Sequence, residues 1–195
     1  MFRTAKLALA FALGFASLQN SLRADEYAVE PSHTSVIFGI SHLGYSFTYG
    51  RFNKVSGDFT LDPAKPEAAS FTLAIDAGSI DTNDAKRDDH LRGPDFLNTG
   101  EFPVISFKSN KVAVKKEGET TVYVVSGDLA MHGQTKPVTL NLQKLGEGPG
   151  PTGQDFRTGF NCQTKLNRSE WGMTKMVPNI GDEVAVTISF EGVRK

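Results

Sequence analysis

The sequence predicts an all-β chain, a single sheet of about eight antiparallel strands closed into a barrel, with one short helix in a connection. Three observations predict it. Apolar residues alternate with polar or small ones in run after run, turn-forming clusters separate the runs, and helical periodicity is convincing only once.

The alternating runs are Val36/Phe38/Ile40, Phe71/Leu73/Ile75, Val112/Val114, Val122/Val124, Val138/Leu140/Leu142 and Val184/Val186/Ile188/Phe190. Period two puts one face of each strand toward an interior and the other toward water. Between them lie Asp62-Pro63 with Pro66, Lys116-Glu117-Gly118-Glu119, His132-Gly133, Gly146 to Pro151 and Pro178-Asn179-Ile180-Gly181-Asp182, all rich in turn residues. The helical stretch is Asn83 to Arg92, with Asn83 able to cap its start and Gly93-Pro94 stopping its end. Strands with one apolar face and almost no helix must cover one another, as a sandwich or as a closed barrel, and we favour closure. No linker divides the chain before Gly146, and the segment after Pro151 is too short for a core of its own, so one domain is expected.

Residues 1–24 are set apart from that domain. Arg3 and Lys6 precede an apolar run, Leu7 to Ala16, that is too short to cross a bilayer, which reads as a secretory signal cut after Ala24. Its removal takes three cations, Arg3, Lys6 and Arg23, from a chain of net charge −1 and leaves −4 on residues 25–195. The expected location is a bacterial periplasm, with no membrane-spanning segment in the mature form. Near-balanced charge supplies no positive field for a polyanion, so nucleic acid is excluded as a partner. The single cysteine, Cys162, excludes an internal disulfide and reads as a passive strand residue.

An eight-stranded barrel is filled by its own side chains or holds one small ligand. Of the 14 phenylalanines, Phe38, Phe52 and Phe59 stand near Gly39, Gly50 and Gly57, and small beside large lets a wall curve around a space. The alternative, that the phenylalanines fill a solid core, stays open at this point.

Several short motifs then carry a resemblance: Glu30-Pro31-Ser32-His33-Thr34-Ser35; His42-Leu43-Gly44-Tyr45-Ser46; Gly50-Arg51-Phe52 with Ser56-Gly57; Ser79-Ile80-Asp81-Thr82; Arg87-Asp88-Asp89-His90-Leu91-Arg92 with Asp95-Phe96-Leu97; Phe102 to Ser109; Gly127-Asp128-Leu129 with Gly133 to Val138; and Asn167 to Met173. In this order they resemble the YceI-like family, periplasmic barrels of lipocalin-like shape, through nearly the whole mature chain. Ala130-Met131, Gln134 and Trp171 depart from the family's usual Thr-Leu, Val and Phe, which bears on the lining and not on membership. The resemblance implies an elongated barrel whose apolar tunnel takes up a polyisoprenoid, an isoprenoid quinone or a similar amphiphile. Homodimers are implied as well, and no cofactor beyond the bound lipid. Each buried methylene contributes about 0.8 kcal/mol, so a dozen enclosed carbons bind tightly before ordering costs are subtracted.

The residues expected to meet such a ligand are Phe38, His42, Phe52, Phe59, Arg87, His90, Leu91, Phe96, Phe107, Arg168 and Trp171. Arg87, His90 and Leu91 share one helix face, where a cation, an imidazole and an aliphatic group can meet a polar head and its tail. Arg87 with Asp88 reads equally as an ion-pair network fastening the helix to the rim. His42 reads also as a satisfied core histidine, and His33 as a loop brace. Arg168 and Trp171 form either a second head contact or a cation–π brace. The chain reads as a binding protein and not an enzyme: no GxSxG turn marks a nucleophile, Asp88-Asp89-His90 fits a solvated helix face, and no third ligand completes a metal site around His90. The rival function is a stress-related interaction module with a solid core and active surface loops.

Overall fold

The computed structural model describes residues 24–195, so the expected signal segment lies outside the described residues, save Ala24 at its proposed cleavage point. Among the described residues, ten strands follow one another with a single α-helix between two of them. β1 is Asp25–His42, β2 Ser46–Phe52, β3 Val55–Leu61, β4 Ser70–Asp76, β5 Ile80–Asp81, α1 Ala85–Arg92, β6 Val104–Glu117, β7 Thr120–Met131, β8 Gln134–Pro149, β9 Phe156–Asn167 and β10 Ile180–Arg194. Every pairing is antiparallel, and the pair β1–β10 closes the sheet.

Ten strands make eight staves. β1 pairs with β3 through Tyr27↔Phe59 in its first part and with β2 through Phe38↔Gly50 in its second, while β10 runs along both parts. β2 and β3 are thus one stave kinked at Asn53-Lys54, and β4 and β5 are its neighbour, kinked at 77–79. The two kinks satisfy each other: the Asn53 and Lys54 amides donate to the carbonyl and hydroxyl of Ser79, and the Asp76 amide donates to the Lys54 carbonyl. β1 tolerates Pro31 because its register with β10 breaks between Glu30 and Ser35, where no ladder bond is lost. There Glu30 accepts from the Ser32 and His33 amides and lies 2.6 Å from His33 Nδ1, so His33 braces this bulge.

Two details differ from the sequence reading. The helix is capped by Asp84, whose carboxylate accepts from the Arg87 amide at 3.0 Å, while Asn83 takes a left-handed turn one step earlier (φ 62°). In β7 the residues that join the interior cluster are Tyr123 and Val125, while Val122, also buried, lies outside that cluster. The neighbouring β6 carries a bulge between Ser109 and Lys111, so its interior residues change from Ile105 and Phe107 to Val112 and Val114.

The interior divides along the barrel's length. At one end Tyr27, Phe59, Phe71, Tyr123, Phe160 and Phe190 fill the bore, with ring centroids 4.9–6.1 Å apart in stacked and edge-on pairs. Phe160 is wholly buried at the centre of this plug. Cys162 sits in it too, and burial pushes its thiol pKa up, which leaves it inert. At the other end Trp171 and Met173 of the 168–173 turn pack with Ala77, Ile80, Leu97 and Ile105, and there the bore is not filled.

Candidate functional site

A cavity of about 380 Å³ occupies the unfilled half. Its wall is made by the second part of β1 (Val36, Phe38, Ile40), by Phe52 of β2, by Leu73 and Ile75 of β4, by Ile105 and Phe107 of β6, and by the β10 run Val184/Val186/Ile188. Its ceiling is Leu91 of α1 with Phe96 and Leu97 just beyond it, and Met173 and Met176 of the 172–180 loop. Four lining residues, His42, Arg87, His90 and Met176, are also exposed, and they mark where the cavity reaches the surface.

Glycine gives the wall its shape. A β-carbon at Gly50 would run into the Phe38 ring and the Thr82 methyl group, so the bare backbone there lets Phe38 lie flat across β2. Gly127 does the same for Phe107, and Gly192 for Phe59 in the plug. The small-beside-large pairs therefore form across the sheet and not along the chain, where the spacing of Gly39, Gly50 and Gly57 suggests them.

Nine of the eleven expected residues line the cavity: Phe38, His42, Phe52, Arg87, His90, Leu91, Phe96, Phe107 and Arg168. Two do not. Phe59 belongs to the aromatic plug, stacked on Tyr27 at 4.9 Å, because β3 continues the β2 stave away from the cavity. Trp171 is 1% exposed and packed behind the wall, its indole N–H donating to the Leu129 carbonyl at 3.2 Å. His42 is exposed at the rim and so is not a core histidine.

The helix is fastened through hydrogen bonds and not through an Arg87–Asp88 ion pair. Asp88, 7% exposed, accepts from the Thr82 amide at 2.9 Å and from its hydroxyl at 2.6 Å. Arg87 donates to the Thr82 hydroxyl and carbonyl, both at 2.7 Å. Arg92 adds bonds to the Gly78 and Ile80 carbonyls. Thr82 and Asp88 are thus the hidden supports of the rim, and neither carried a signal in the sequence beyond its place in a motif.

Arg168 holds the opposite side. Its guanidinium donates to the carbonyls of Met173, Lys175, Ile180 and Gly181 at 2.6–3.1 Å, which pins the 172–180 loop over the barrel. Burial pushes its pKa down and Asp182 opposes the shift. The cation–π partner is Phe96, 5.7 Å from its Cζ, and not Trp171. His90 stands edge-on to the same Phe96 ring at 5.0 Å. Asp95 joins the two sides, 3.4 Å from His90 Nε2 and 3.3 Å from Lys175 Nζ, and those bonds hold its carboxyl below the usual range. On the third side the Leu43 amide donates to the Asn179 carbonyl at 2.7 Å, tying the β1–β2 hairpin to the loop. The arrangement is a lined, apolar container with a polar, hydrogen-bonded rim. Among the described residues no helix is long and apolar enough to cross a membrane.

Comparison with known proteins places this geometry. A family model for the YceI-like domain matches residues 27–192. The chain is 38% identical over 177 residues to a UPF0312 protein of Shewanella oneidensis, covering 90% of this chain and 91% of that one. It is 40% identical over 193 residues to a UPF0312 protein of Azotobacter vinelandii, covering 97% and 98%. Among solved structures it is similar to BcnA of Burkholderia cenocepacia (TM-score 0.70, 25% identity, 84% and 98% of the two chains). It is similar also to a YceI protein of Campylobacter jejuni (TM-score 0.69, 26% identity, 80% and 90%). A domain of Saccharophagus degradans described as polyisoprenoid-binding shares the fold at 18% identity (TM-score 0.65, 87% and 98%).

Proposed function

The chain belongs to the YceI-like family, and from that premise we propose that it is an exported, periplasmic carrier that sequesters a polyisoprenoid or isoprenoid quinone with its tail in the barrel. The observation that carries this reading is the apolar cavity of about 380 Å³ between the aromatic plug and the rim. Pockets that enclose small ligands run from about 300 to 1,000 Å³, so the space suits a partly enclosed chain. Because the plug blocks the far end, a long isoprenoid bends within the cavity or leaves through the rim at His42 and Met176.

The Saccharophagus domain, with the same fold and a polyisoprenoid in its description, supports the choice of tail. The leader-like composition of residues 1–24 supports export. A module that acts only through surface loops has no use for a hollow of this kind, and the plug by itself would supply its core. Purification without detergent, followed by solvent extraction and mass spectrometry, tests the proposal. It predicts a co-purified lipid in near-stoichiometric amount or saturable uptake of added isoprenoid quinone, and the absence of both would refute it.

A further inference from the structure

The charges that line the cavity have one sign. They are those of Arg87 and Arg168, which stand beside the imidazoles of His42 and His90, and no aspartate or glutamate lines the cavity, Asp95 meeting His90 Nε2 at 3.4 Å from outside the lining. The only other polar liners are three threonine hydroxyls. Arginines beside apolar walls are ordinarily paired with carboxylates, because an unbalanced charge next to low dielectric is costly. Neither arginine forms an ion pair among the described residues.

Their hydrogen bonds differ in a telling way. A guanidinium has five N–H groups. Arg168 commits four to loop carbonyls, so it contributes charge to the cavity and little bonding. Arg87 commits two, both to Thr82, and three of its N–H groups have no protein partner among the described residues. Its orientation is nonetheless fixed, because Thr82 is held in turn by the buried Asp88 carboxylate. A cation set in place by a buried pair and left with an open fork at the rim is built to receive something that only accepts.

We propose that the ligand is an amphiphile with an anionic oxyacid head, a phosphate or a carboxylate, received by the open fork of Arg87 with His90 one helical turn away. This rests on reading the cavity as a lipid site and narrows the class of lipid. The tail occupies the apolar wall, and the head supplies the negative charge that the lining lacks. Arg168, 5% exposed, is little screened by water and adds attraction at longer range. An ammonium head meets two fixed cations and is disfavoured. A neutral head gives the open fork of Arg87 no charged acceptor.

Displacement of the neutral fluorescent probe N-phenyl-1-naphthylamine from the purified protein tests this. The competitors are dodecyl phosphate, dodecanoate, dodecan-1-ol and dodecylamine at pH 8, low salt and below micelle formation. Both anions should compete at concentrations about tenfold or more below the alcohol, as one charge-assisted bidentate contact allows. The order of the two anions then tells phosphate from carboxylate. Arg87→Gln should remove most of that gap between the anions and the alcohol, and Arg87→Lys should keep part of it through charge alone. The Lys variant and the wild-type comparison keep the test decisive if Arg87→Gln loosens the helix. An alcohol that competes as well as the anions, or an Arg87→Gln variant that keeps the full preference, would overturn the inference and leave the lipid site standing. If none of the four displaces the probe, the lipid site itself is wrong.

Discussion

Phe38 faces Gly50 across the β1–β2 ladder, and the end of its ring takes the space that a β-carbon at position 50 would need. The cavity wall bends at this contact, so the shape of the container depends on a hydrogen atom where other residues carry a side chain. Gly50→Val should cost about 1–3 kcal/mol through overpacking. Thermal melting followed by circular dichroism should show a Tm lower by several degrees, at about 2–4 °C per kcal/mol for a chain of this size. Adding Phe38→Leu to Gly50→Val should recover at least part of the loss, since the shorter side chain vacates the contested space.

The plug and the cavity should separate stability from binding. Phe160→Ala empties the centre of the aromatic cluster and should cost about 3–5 kcal/mol, measured by urea unfolding, with the folded fraction still taking up lipid. Val184→Phe adds a ring where there is already space and should leave Tm nearly unchanged while reducing uptake of a long-chain amphiphile about tenfold or more, the effect of losing one or two kcal/mol of tail burial. Equal effects of the two substitutions on both measurements would mean that the two halves of the bore are not distinct.

Arg168 is the fastening of the 172–180 loop. Arg168→Met keeps much of the volume but withdraws the donor from four carbonyls, and should destabilise by about 3 kcal/mol because buried acceptors are left unpaired. Limited proteolysis is the more direct reading: trypsin should cut after Lys175 much faster in the variant than in the wild type. An unchanged cleavage rate would show that the loop is held by other means.

Acid should weaken the far end of β1 first. Glu30 has its pKa lowered to about 2, chiefly by the Ser32 hydroxyl and then by His33. A carboxylate with a depressed folded pKa adds stability that is present above its unfolded value, near 4.5, and is lost as the pH falls toward 2. Melting temperatures of wild type and Glu30→Gln should therefore differ most above pH 5 and converge toward pH 2. A constant difference across that range would place the role of Glu30 in packing and not in charge.

The barrel was legible because half-buried strands must alternate, and β10 shows how fully: Val184, Val186 and Ile188 line the cavity and Phe190 enters the plug, along one face of one strand. The rest was hidden for definable reasons. A bulge at Ser109/Lys111 reverses the parity of β6, and no residue type announces it. Phe38 and Phe59 stand in similar Gly-rich surroundings, yet one lines the cavity and the other the plug, since height along the barrel follows from pairing and not from local sequence. The helix face Arg87/His90/Leu91 is correctly joined by its spacing. Its anchoring through Thr82 and Asp88 is not visible there, because a buried aspartate in a run of charged residues looks the same as a solvated one. Arg168 and Trp171 are neighbours in sequence, but a 3-10 turn aims the guanidinium at Phe96 and the indole at the Leu129 carbonyl.

The central claim is that one amphiphile occupies the hollow half of the barrel, and native mass spectrometry of the intact protein after incubation with a prenyl phosphate tests it most directly. An added mass of one lipid per chain is expected on the wild type, and a bound fraction about tenfold or more lower on Val184→Phe under the same conditions. A lipid retained equally by Val184→Phe, or no added mass on either protein, would contradict it.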